Sequence, residues 1–524
     1  MFKFIKQNKF VPILIVVLLA FFLRVYHVRN LPPGLYDDEV SLGYNAYSVL
    51  TYGKDEYGAA YPLWFKAFGE YKLPGYIYAD IIPIAIFGKN AFAVRFPSVL
   101  SGTLTVLFLY LFLKNLLSFE SKKLKEEFQH IPILSAFILA IIPWSIQFSR
   151  GAYEATMAVC LFTIGLWLFS LFYKNKKIPY LILTLLFLAF ASYTYSSFRL
   201  LTPVTASTIF FLLFWKKLAS IKSIFSMAIY TIVINLPLML FTFGSHGFVR
   251  FFQTTTFTEQ ALPLSIAPKS SLQGLIAFSF IYVKSFLSYF SLQELFLKSQ
   301  DNVRFYSSSE FGFLFRWQLP FLVAGLVVLL REKSKVIKKI ILAILLVTPA
   351  AVAVANSPNS LHALLLVIPF SVIIAIGIQS IVKVKKLWIR VAFVGAIIFA
   401  IFEISLYFHM YLSHYKNAYM IFWGGAQEKM AQYATKLWNS KNYSAIVINE
   451  DFLQNEKIHF LFYNDKLKPI FVNSSWQKPP RWKNKSILYI RYPASVPSDS
   501  KMKLLKTITL DTPLRQPVAQ FIQL

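Results

Sequence analysis

The chain has 524 residues, of which 56% are hydrophobic and 15% are charged. Soluble globular proteins carry about 25% charged residues, so this chain has too little polar surface for a water-soluble fold of its size. The net charge is +29. Lys and Arg cluster in short segments between apolar runs, which excludes a nucleic-acid partner and indicates topology signals that contact the lipid bilayer and its anionic headgroups.

The first apolar run extends from residue 10 to about residue 28 and follows Lys3, Lys6 and Lys9. This order is typical of a signal peptide, but no small-x-small cleavage site follows the run. We therefore predict an uncleaved first transmembrane helix with its N-terminus in the cytoplasm.

Ten further apolar runs follow, each near the ~20 residues that a helix needs to cross a bilayer. They cover residues 95–117, 132–148, 155–173, 178–193, 199–215, 223–241, 318–331, 338–355, 361–380 and 387–407. With strict alternation, every predicted cytoplasmic loop is basic, for example 118–131 and 331–339. This agreement with the positive-inside rule supports about eleven spans and their orientation.

Three long segments fall outside in this topology. The segment 29–94 is rich in acidic residues, and its apolar piece 73–87 is expected to lie at the outer interface. The segment 242–317 includes an amphipathic piece, 272–289, that is expected to lie along the membrane surface. The tail 408–524 is more polar, with strand-like runs at 444–448, 469–472 and 487–490 and a helical run at 426–439.

The predicted fold is thus an all-α polytopic membrane protein with a small extracytoplasmic α/β domain. The membrane module covers residues 1–407, with outer loops at 29–94, 149–154 and 242–317, and the C-terminal domain covers 408–524. The chain has no phosphate-binding GxxxxGK[ST] loop, no HExxH and no GxSxG. An enzyme on the outer face, where ATP is scarce, needs an activated substrate, and a lipid-linked phosphate would serve.

The strongest local cluster is Tyr36-Asp37-Asp38-Glu39, just after the first helix. Three adjacent carboxylates repel one another, so they persist when they are solvated, paired with cations or used in chemistry. A helix N-terminus at this point explains them equally well, because Asp is a good capping residue. The residues alone leave both interpretations open.

Basic and acidic side chains in the other outer loops give weaker signals. Lys72 beside Tyr71 suits a phosphate ligand but also interfacial anchoring. Arg150 and Glu154 flank a tight turn, where they suit either a cavity or a helix-capping pair. Arg250 suits a phosphate clamp or an interface anchor. Two further acids, Asp55 and Glu56, are expected to stabilise their loop, and neither His362 nor Glu403 is given a catalytic role.

Four motifs of this chain resemble one family of membrane glycosyltransferases. They are PPGLYDDEVSLGYNAYSVLTYGKDEYG, GEYKLPGYIY, FGKNAFAVRFPSVLSG and SRGAYEA. Together they resemble the GT-C type enzymes, and most of all the protein O-mannosyltransferases and lipid A aminoarabinose transferases of the family 39-like group. The resemblance covers about residues 10–410. The family's Asp-Glu pair falls on Asp38 and Glu39, and its Lys-Pro-Pro segment is replaced here by Lys72-Leu73-Pro74.

The resemblance implies a polyprenyl-phosphate sugar donor, inversion at the anomeric carbon and a protein, lipid or cell-wall acceptor. It implies Asp38 as the general base, with Lys72 and Arg250 on the leaving phosphate. Glu39 and Glu154 would orient the sugar or acceptor, and Tyr71 and Arg150 would contact substrate. No cofactor is certain, and a divalent cation, Mg²⁺ or Mn²⁺, held by Asp38, Glu39 and Glu154 stays open.

The expected location is the cytoplasmic membrane, as a multi-pass protein whose active site faces outside. The alternative function is a lipid-linked sugar flippase without catalysis. A flippase would place polar groups near mid-bilayer, whereas the acidic residues here concentrate at the outer edge. We further expect that the tail is dispensable for the chemical step but useful for acceptor choice or stability, and that replacing Asp37 costs far less activity than replacing Asp38.

Overall fold

A computed structural model describes most of the chain. The described residues are 10–244, 272–298, 304, 310–331, 336–354, 359–440, 443–449, 456–465, 470–472, 486–491, 503–509 and 517–523. The chain forms two compact units, each made of three segments. The first unit contains Met1–Tyr26, Leu63–Tyr76 and Pro97–Phe408, and the second contains His27–Pro62, Ile77–Phe96 and His409–Leu524.

Apolar helices dominate the chain as far as residue 409. In chain order all helices of this part are α1 Val11–Val25, α2 Asp37–Tyr52, α3 Pro74–Phe87, α4 Ala91–Leu117, the charged α5 Lys122–Glu127, α6 Ile131–Ile141, α7 Pro143–Arg150, α8 Glu154–Asn175, α9 Ile178–Thr194, α10 Phe198–Trp215, α11 Ile221–Phe243, α12 Leu272–Ser288, α13 Leu319–Arg331, α14 Val336–Val352, α15 Val367–Val382 and α16 Leu387–His409. A short hairpin, β1 Phe65–Ala67 and β2 Glu70–Lys72, precedes α3. Every apolar run predicted as a span coincides with helix.

Length and hydropathy make this a multi-pass membrane protein. Within the described ranges, seven helices are long and apolar enough to cross a membrane, or eight if a bent pair counts as one span. Three more apolar helices are shorter, at 10–17 residues. The predicted total of about eleven spans therefore stays a prediction.

The predicted span 132–148 is in fact a bent pair. Helix α6 ends at Ile141, Ile142 is extended, and α7 begins at Pro143 after a bend of 56°. Proline cannot donate a backbone N–H and disfavours helical geometry at the residue before it. Buried Arg24 satisfies the exposed end of α6, since its guanidinium donates to the carbonyls of Leu139 and Ala140 at 3.3 and 3.1 Å.

Helices α13 and α15 cross without any side chain between them. A Cβ atom on Gly325 would lie 1.8 Å from the carbonyl oxygen of Ile373, and one on Gly377 would lie 1.9 Å from that of Phe321. Small residues at such crossings let two membrane helices approach backbone to backbone. Helices α13 and α15 therefore pack closely against each other within the first unit.

Helix α12 lies where the sequence predicted an amphipathic helix. The stretch Leu275–Leu297, which includes most of α12, a break at residues 289–291 and the π-helical turn Gln293–Leu297, is 23 residues long and apolar enough to span a membrane. Large apolar side chains are exposed along it, including Leu275, Phe280 and Leu287. Such a surface is suited to contact with lipid, and the placement of this helix along the membrane surface stays a prediction.

The second unit contains the tail and its α/β fold. Its elements are a π-helical turn Met410–His414, α17 Tyr415–Tyr419, a 3₁₀ turn Met420–Trp423, α18 Gly425–Ser440, β3 Ala445–Asn449, α19 Glu456–Tyr463, β4 Ile470–Val472, β5 Ile487–Arg491, β6 Lys503–Thr509 and β7 Pro517–Gln523. The sheet order is β4-β3-β5-β7-β6, with β3 parallel to β4 and β5 and with β7 antiparallel to β5 and β6. The predicted helix and three strands are present, whereas α19, β6 and β7 were not predicted.

The loop after α2 is held by the two acids expected to stabilise it. Asp55 is buried and its Oδ1 accepts the backbone N–H groups of Tyr57 and Ala59 at 2.9 and 2.8 Å. Asn45 of α2 binds Glu56 twice, through its amide nitrogen to the carboxylate and through its oxygen to the backbone N–H. The structural interpretation of Asp55 and Glu56 is confirmed.

Candidate active site

The acidic cluster forms the first turn of α2. Tyr36 is the N-cap residue in extended geometry, and Asp37, Asp38 and Glu39 follow in the first turn. Carboxylates are favoured at this end of a helix, because the unpaired N–H groups and the helix dipole give it positive character. A helix therefore begins at this point, but its N-cap residue is Tyr36 rather than an aspartate, and Asp37 and Asp38 are partly accessible.

Glu39 lies in a buried ion pair with Arg95. Arg95 Nε donates to Glu39 Oε1 at 2.8 Å and Nη2 donates to Oε2 at 2.9 Å, with both side chains fully buried. The same guanidinium donates to the carbonyl oxygens of Val28, Pro32 and Gly34. Arg95 thus joins the segment before α2 with the first turn of the helix.

Asp37 has a partner from the tail. His459 of α19 lies 422 positions away in sequence, and its Nε2 is 2.9 Å from Asp37 Oδ1. The imidazole is 1% exposed, whereas the Asp37 side chain is 41% exposed. No sequence signal indicated this contact, because a single His on a short amphipathic helix carries no spacing that points to α2.

In the first unit, the β1–β2 hairpin carries Lys72 and Tyr71. Lys72 is buried at the end of β2. Tyr71 contacts Phe241 of α11 edge-on at 5.8 Å, and Trp64 stacks on the same ring at 4.1 Å. The hairpin is therefore packed against the end of α11 rather than suspended in solvent.

A groove of about 340 Å³ opens between α9, α10 and α11. Its lining is Leu185, Leu188, Ala189, Ser192, Arg199, Thr202, Pro203, Ala206, Thr231, Ile232, Asn235, Leu238, Met239, Thr242 and Phe243. Arg199 is the charged residue among these, and its guanidinium lies 5.7 Å from the ring centre of Phe241. Phe241 thus contacts both the hairpin and the cation of the groove. A lone cation at the start of a predicted span was the signal that could have identified Arg199.

Arg150 and Glu154 occupy the turn between α7 and α8, as predicted. Arg150 is buried, and its Nη1 donates to the carbonyl oxygens of Leu23 and Arg24 at 2.8 and 3.4 Å. These carbonyls belong to the last turn of α1, so Arg150 closes that helix end. Glu154 lies in the first turn of α8 and is half-buried. The predicted substrate contacts of both residues stay predictions.

Three remaining candidates lie elsewhere. Arg250 lies outside the described residues. His362 Nδ1 is 3.0 Å from the hydroxyl of Tyr195. Glu403 accepts the backbone N–H groups of Arg316 and Trp317, both at 3.1 Å, which ties α16 to the start of α13.

A divalent cation at the predicted site would need several carboxylate or imidazole ligands close together. In the part of the chain that the structure describes, no three His, Cys, Asp or Glu side chains lie close enough together to hold a metal ion. Both carboxylate oxygens of Glu39 already accept hydrogen bonds from Arg95. The predicted ligand set of Asp38, Glu39 and Glu154 therefore does not fit a divalent cation.

Comparison with known proteins agrees with this fold. Residues 74–241 match a family model described as dolichyl-phosphate-mannose-protein mannosyltransferase. Among curated protein sequences, no relative matches the chain.

Two solved structures share the fold. ArnT from Cupriavidus metallidurans bound to undecaprenyl phosphate aligns with a TM-score of 0.55 at 11% identity, covering 98% of this chain and 97% of ArnT. The oligosaccharyltransferase AglB from Archaeoglobus fulgidus, in complex with an inhibitory peptide and a dolichol-phosphate, aligns with a TM-score of 0.52 at 14% identity, covering 88% of this chain and 65% of AglB. The family model over residues 74–241 and the fold shared with ArnT and AglB confirm the resemblance to GT-C, family 39-like membrane glycosyltransferases.

Proposed function

We propose that this chain transfers a sugar from a polyprenyl-phosphate donor to a hydroxyl or amine acceptor at the outer membrane face, with inversion. The observation that carries the proposal is the groove between α9, α10 and α11, which has apolar walls and one arginine among its described lining residues. A polyprenyl phosphate has the same division, since a long apolar chain ends in an anionic group. ArnT and AglB, which share the fold, were solved with undecaprenyl phosphate and a dolichol-phosphate.

The donor phosphate is assigned to the cations of the first unit. Arg199 lies in the first turn of α10, which the predicted topology puts at the outer end of the groove. Lys72 is buried in the hairpin whose Tyr71 packs on Phe241, the ring beside Arg199. Charge-assisted hydrogen bonds from such groups are the strong ones for phosphate, and they gain strength as the leaving group becomes more negative.

Asp38 is assigned as the general base. The acceptor oxygen or nitrogen attacks the anomeric carbon, the bond from that carbon to the phosphate oxygen breaks, and the polyprenyl phosphate leaves with the electron pair. The acceptor's proton passes to the Asp38 carboxylate, a transfer that is typically worth about 100- to 10,000-fold in rate. Asp38 lies in the first turn of α2, where the helix dipole stabilises negative charge.

Glu39 is assigned a positioning role through Arg95, because both of its oxygens are occupied in the buried pair. Glu154 is assigned to sugar or acceptor orientation from the first turn of α8. No step is assigned to a metal ion, since the predicted ligand set does not fit one.

The test is transfer by purified protein in lipid nanodiscs. The protein is incubated with a radiolabelled polyprenyl-phosphate sugar and a delipidated membrane extract as acceptor source, beside a labelled nucleotide sugar. We expect label to move from the polyprenyl donor into extract components and none from the nucleotide sugar. Arg199→Ala should weaken donor binding, while Asp465→Asn, a carboxylate with tyrosine partners at the far end of α2, should not.

Two results would reject the proposal. Transfer from the nucleotide sugar alone would rule out a lipid-linked donor. Movement of intact donor across sealed vesicles without formation of a new glycoside would instead favour the flippase.

A further inference from the structure

We propose that His459 of the tail is a positioning residue for Asp37, and that Asp37 thereby binds the hydroxyl or amine group of the acceptor. The inference rests on the proposed function and deepens it, because it names the residues that select the acceptor. The hydrogen bond from His459 Nε2–H fixes Asp37 Oδ1. The partly exposed Asp37 carboxylate, held in this orientation, then contacts the acceptor.

The imidazole has the geometry of a fixed donor. His459 is buried, and its Nδ1 has no hydrogen-bond partner among the described residues. Its one hydrogen bond in that part of the chain joins Nε2 to Asp37 Oδ1 at 2.9 Å. In the neutral ring only one nitrogen carries a proton. A proton on Nδ1 would be buried without an acceptor and would turn the Nε2 lone pair toward a carboxylate, so the proton belongs on Nε2.

The ring is also held in place by backbone. Gly424 follows the 3₁₀ turn with φ +69°. A Cβ atom there would lie 3.2 Å from His459 Cε1 and 2.3 Å from the carbonyl oxygen of Leu35. The imidazole therefore lies beside a turn that only glycine fits, and this turn contacts Leu35, the residue before the N-cap Tyr36. Functional side chains need this kind of support to keep productive geometry.

The Asp37 side chain is far more exposed than the imidazole that holds it. Its side chain is 41% exposed, while its partner is 1% exposed. An ion pair or hydrogen bond that only joins the tail to α2 would gain most from being buried at both ends. A buried donor behind a half-exposed carboxylate is instead the arrangement in which a second residue orients a ligand-binding group.

This inference agrees with the expected role of the tail in acceptor choice, because His459 of the tail is the partner of Asp37. It changes the expectation for Asp37, which was treated as a neighbour of Asp38 without a role of its own.

The test compares His459→Leu, His459→Gln and Asp37→Asn in the transfer assay, with the delipidated membrane extract titrated as acceptor. We expect His459→Leu and Asp37→Asn each to raise the half-saturating amount of extract about 10-fold or more, the range for a hydrogen bond to a charged group. His459→Gln should recover most of the loss, because its amide N–H reaches the position of Nε2–H. The double variant His459→Leu/Asp37→Asn should be no worse than either single variant, and hydrolysis of the donor without extract should not change in His459→Leu or His459→Gln.

The outcomes separate this inference from the proposed function. If wild-type protein transfers no sugar from the polyprenyl donor, the proposed function fails and the inference fails with it. If wild-type protein transfers sugar but His459→Gln is as impaired as His459→Leu, the hydrogen bond is not the cause and the inference alone is overturned. The same holds if transfer and donor hydrolysis fall together with the thermal midpoint, because His459 would then be only a structural tie.

Discussion

Breaking the Glu39–Arg95 pair should destabilise the second unit severely. The carboxylate accepts at 2.8 and 2.9 Å from one guanidinium, and both side chains are fully buried. Removing one partner of such a pair typically costs about 3–5 kcal/mol, because the remaining charge stays buried without compensation. Glu39→Gln is expected in that range. Arg95→Met is expected to cost at least as much, since it also deprives three backbone carbonyls of their donor.

The assay is the thermal midpoint of purified protein, together with the fraction that elutes as a single species after heating. The double variant Glu39→Gln/Arg95→Met is the control, because it removes the buried charges together. We expect the double variant to be less destabilised than the sum of the two single variants. Additive losses, or single variants within about 0.5 kcal/mol of wild type as for ordinary surface substitutions, would refute the reasoning.

Three further predictions concern single side chains. Lys72→Ala should weaken donor binding roughly 10- to 150-fold through loss of one charge-assisted contact, and Lys72→Arg should keep part of it; unchanged binding and turnover would make Lys72 an interfacial anchor. Burial lowers the pKa of Lys89, between α3 and α4, to about 8, although the negative charge of Asp465 acts to raise it. The rate at which an acylating reagent modifies this amine, followed by mass spectrometry as a function of pH, should therefore have its midpoint near pH 8, and a midpoint above 10 would contradict this. Burial without a described partner raises the pKa of Asp80 in the short helix α3. The contribution of the uncharged Asp80 to the free energy of unfolding is therefore complete below its unfolded pKa and is lost as pH rises through its folded pKa. The thermal midpoint of Asp80→Asn should rise relative to that of wild type between pH 5 and pH 8, and a constant difference between the two midpoints would count against this prediction.

The helices were predictable because the bilayer constrains them so strongly. A run of about 20 apolar residues has few alternatives to a helix in lipid, and each run proposed from the sequence coincides with helix. The bend at Pro143 was readable in principle, since proline ends helices before it. Strands β6 and β7 were not predicted, although each has seven residues, because the pairing of β7 with β5 and β6 leaves no signal in the local sequence.

The candidate site was only partly predictable, because several of its side chains act through partners that are distant in sequence. Asp38, Glu39 and Lys72 were found from short motifs, which record what is close in sequence. Arg95, Arg199 and His459 matter through partners far along the chain, such as the 422 positions between Asp37 and His459. Arg95 lay inside a recognised motif, yet nothing local showed that its guanidinium would engage Glu39. A hydrogen bond between distant residues leaves no periodicity in a single sequence.

The central claim is tested most directly by turnover of a labelled polyprenyl-phosphate sugar by Asp38→Asn. The amide keeps the size of the carboxylate but cannot take the acceptor's proton, so transfer should fall about 100- to 10,000-fold. Donor binding and the thermal midpoint should stay at wild-type values, and Asp465→Asn should transfer sugar normally. Near-normal transfer by Asp38→Asn, with donor still bound, would show that another group takes the proton and that the account of the site is wrong.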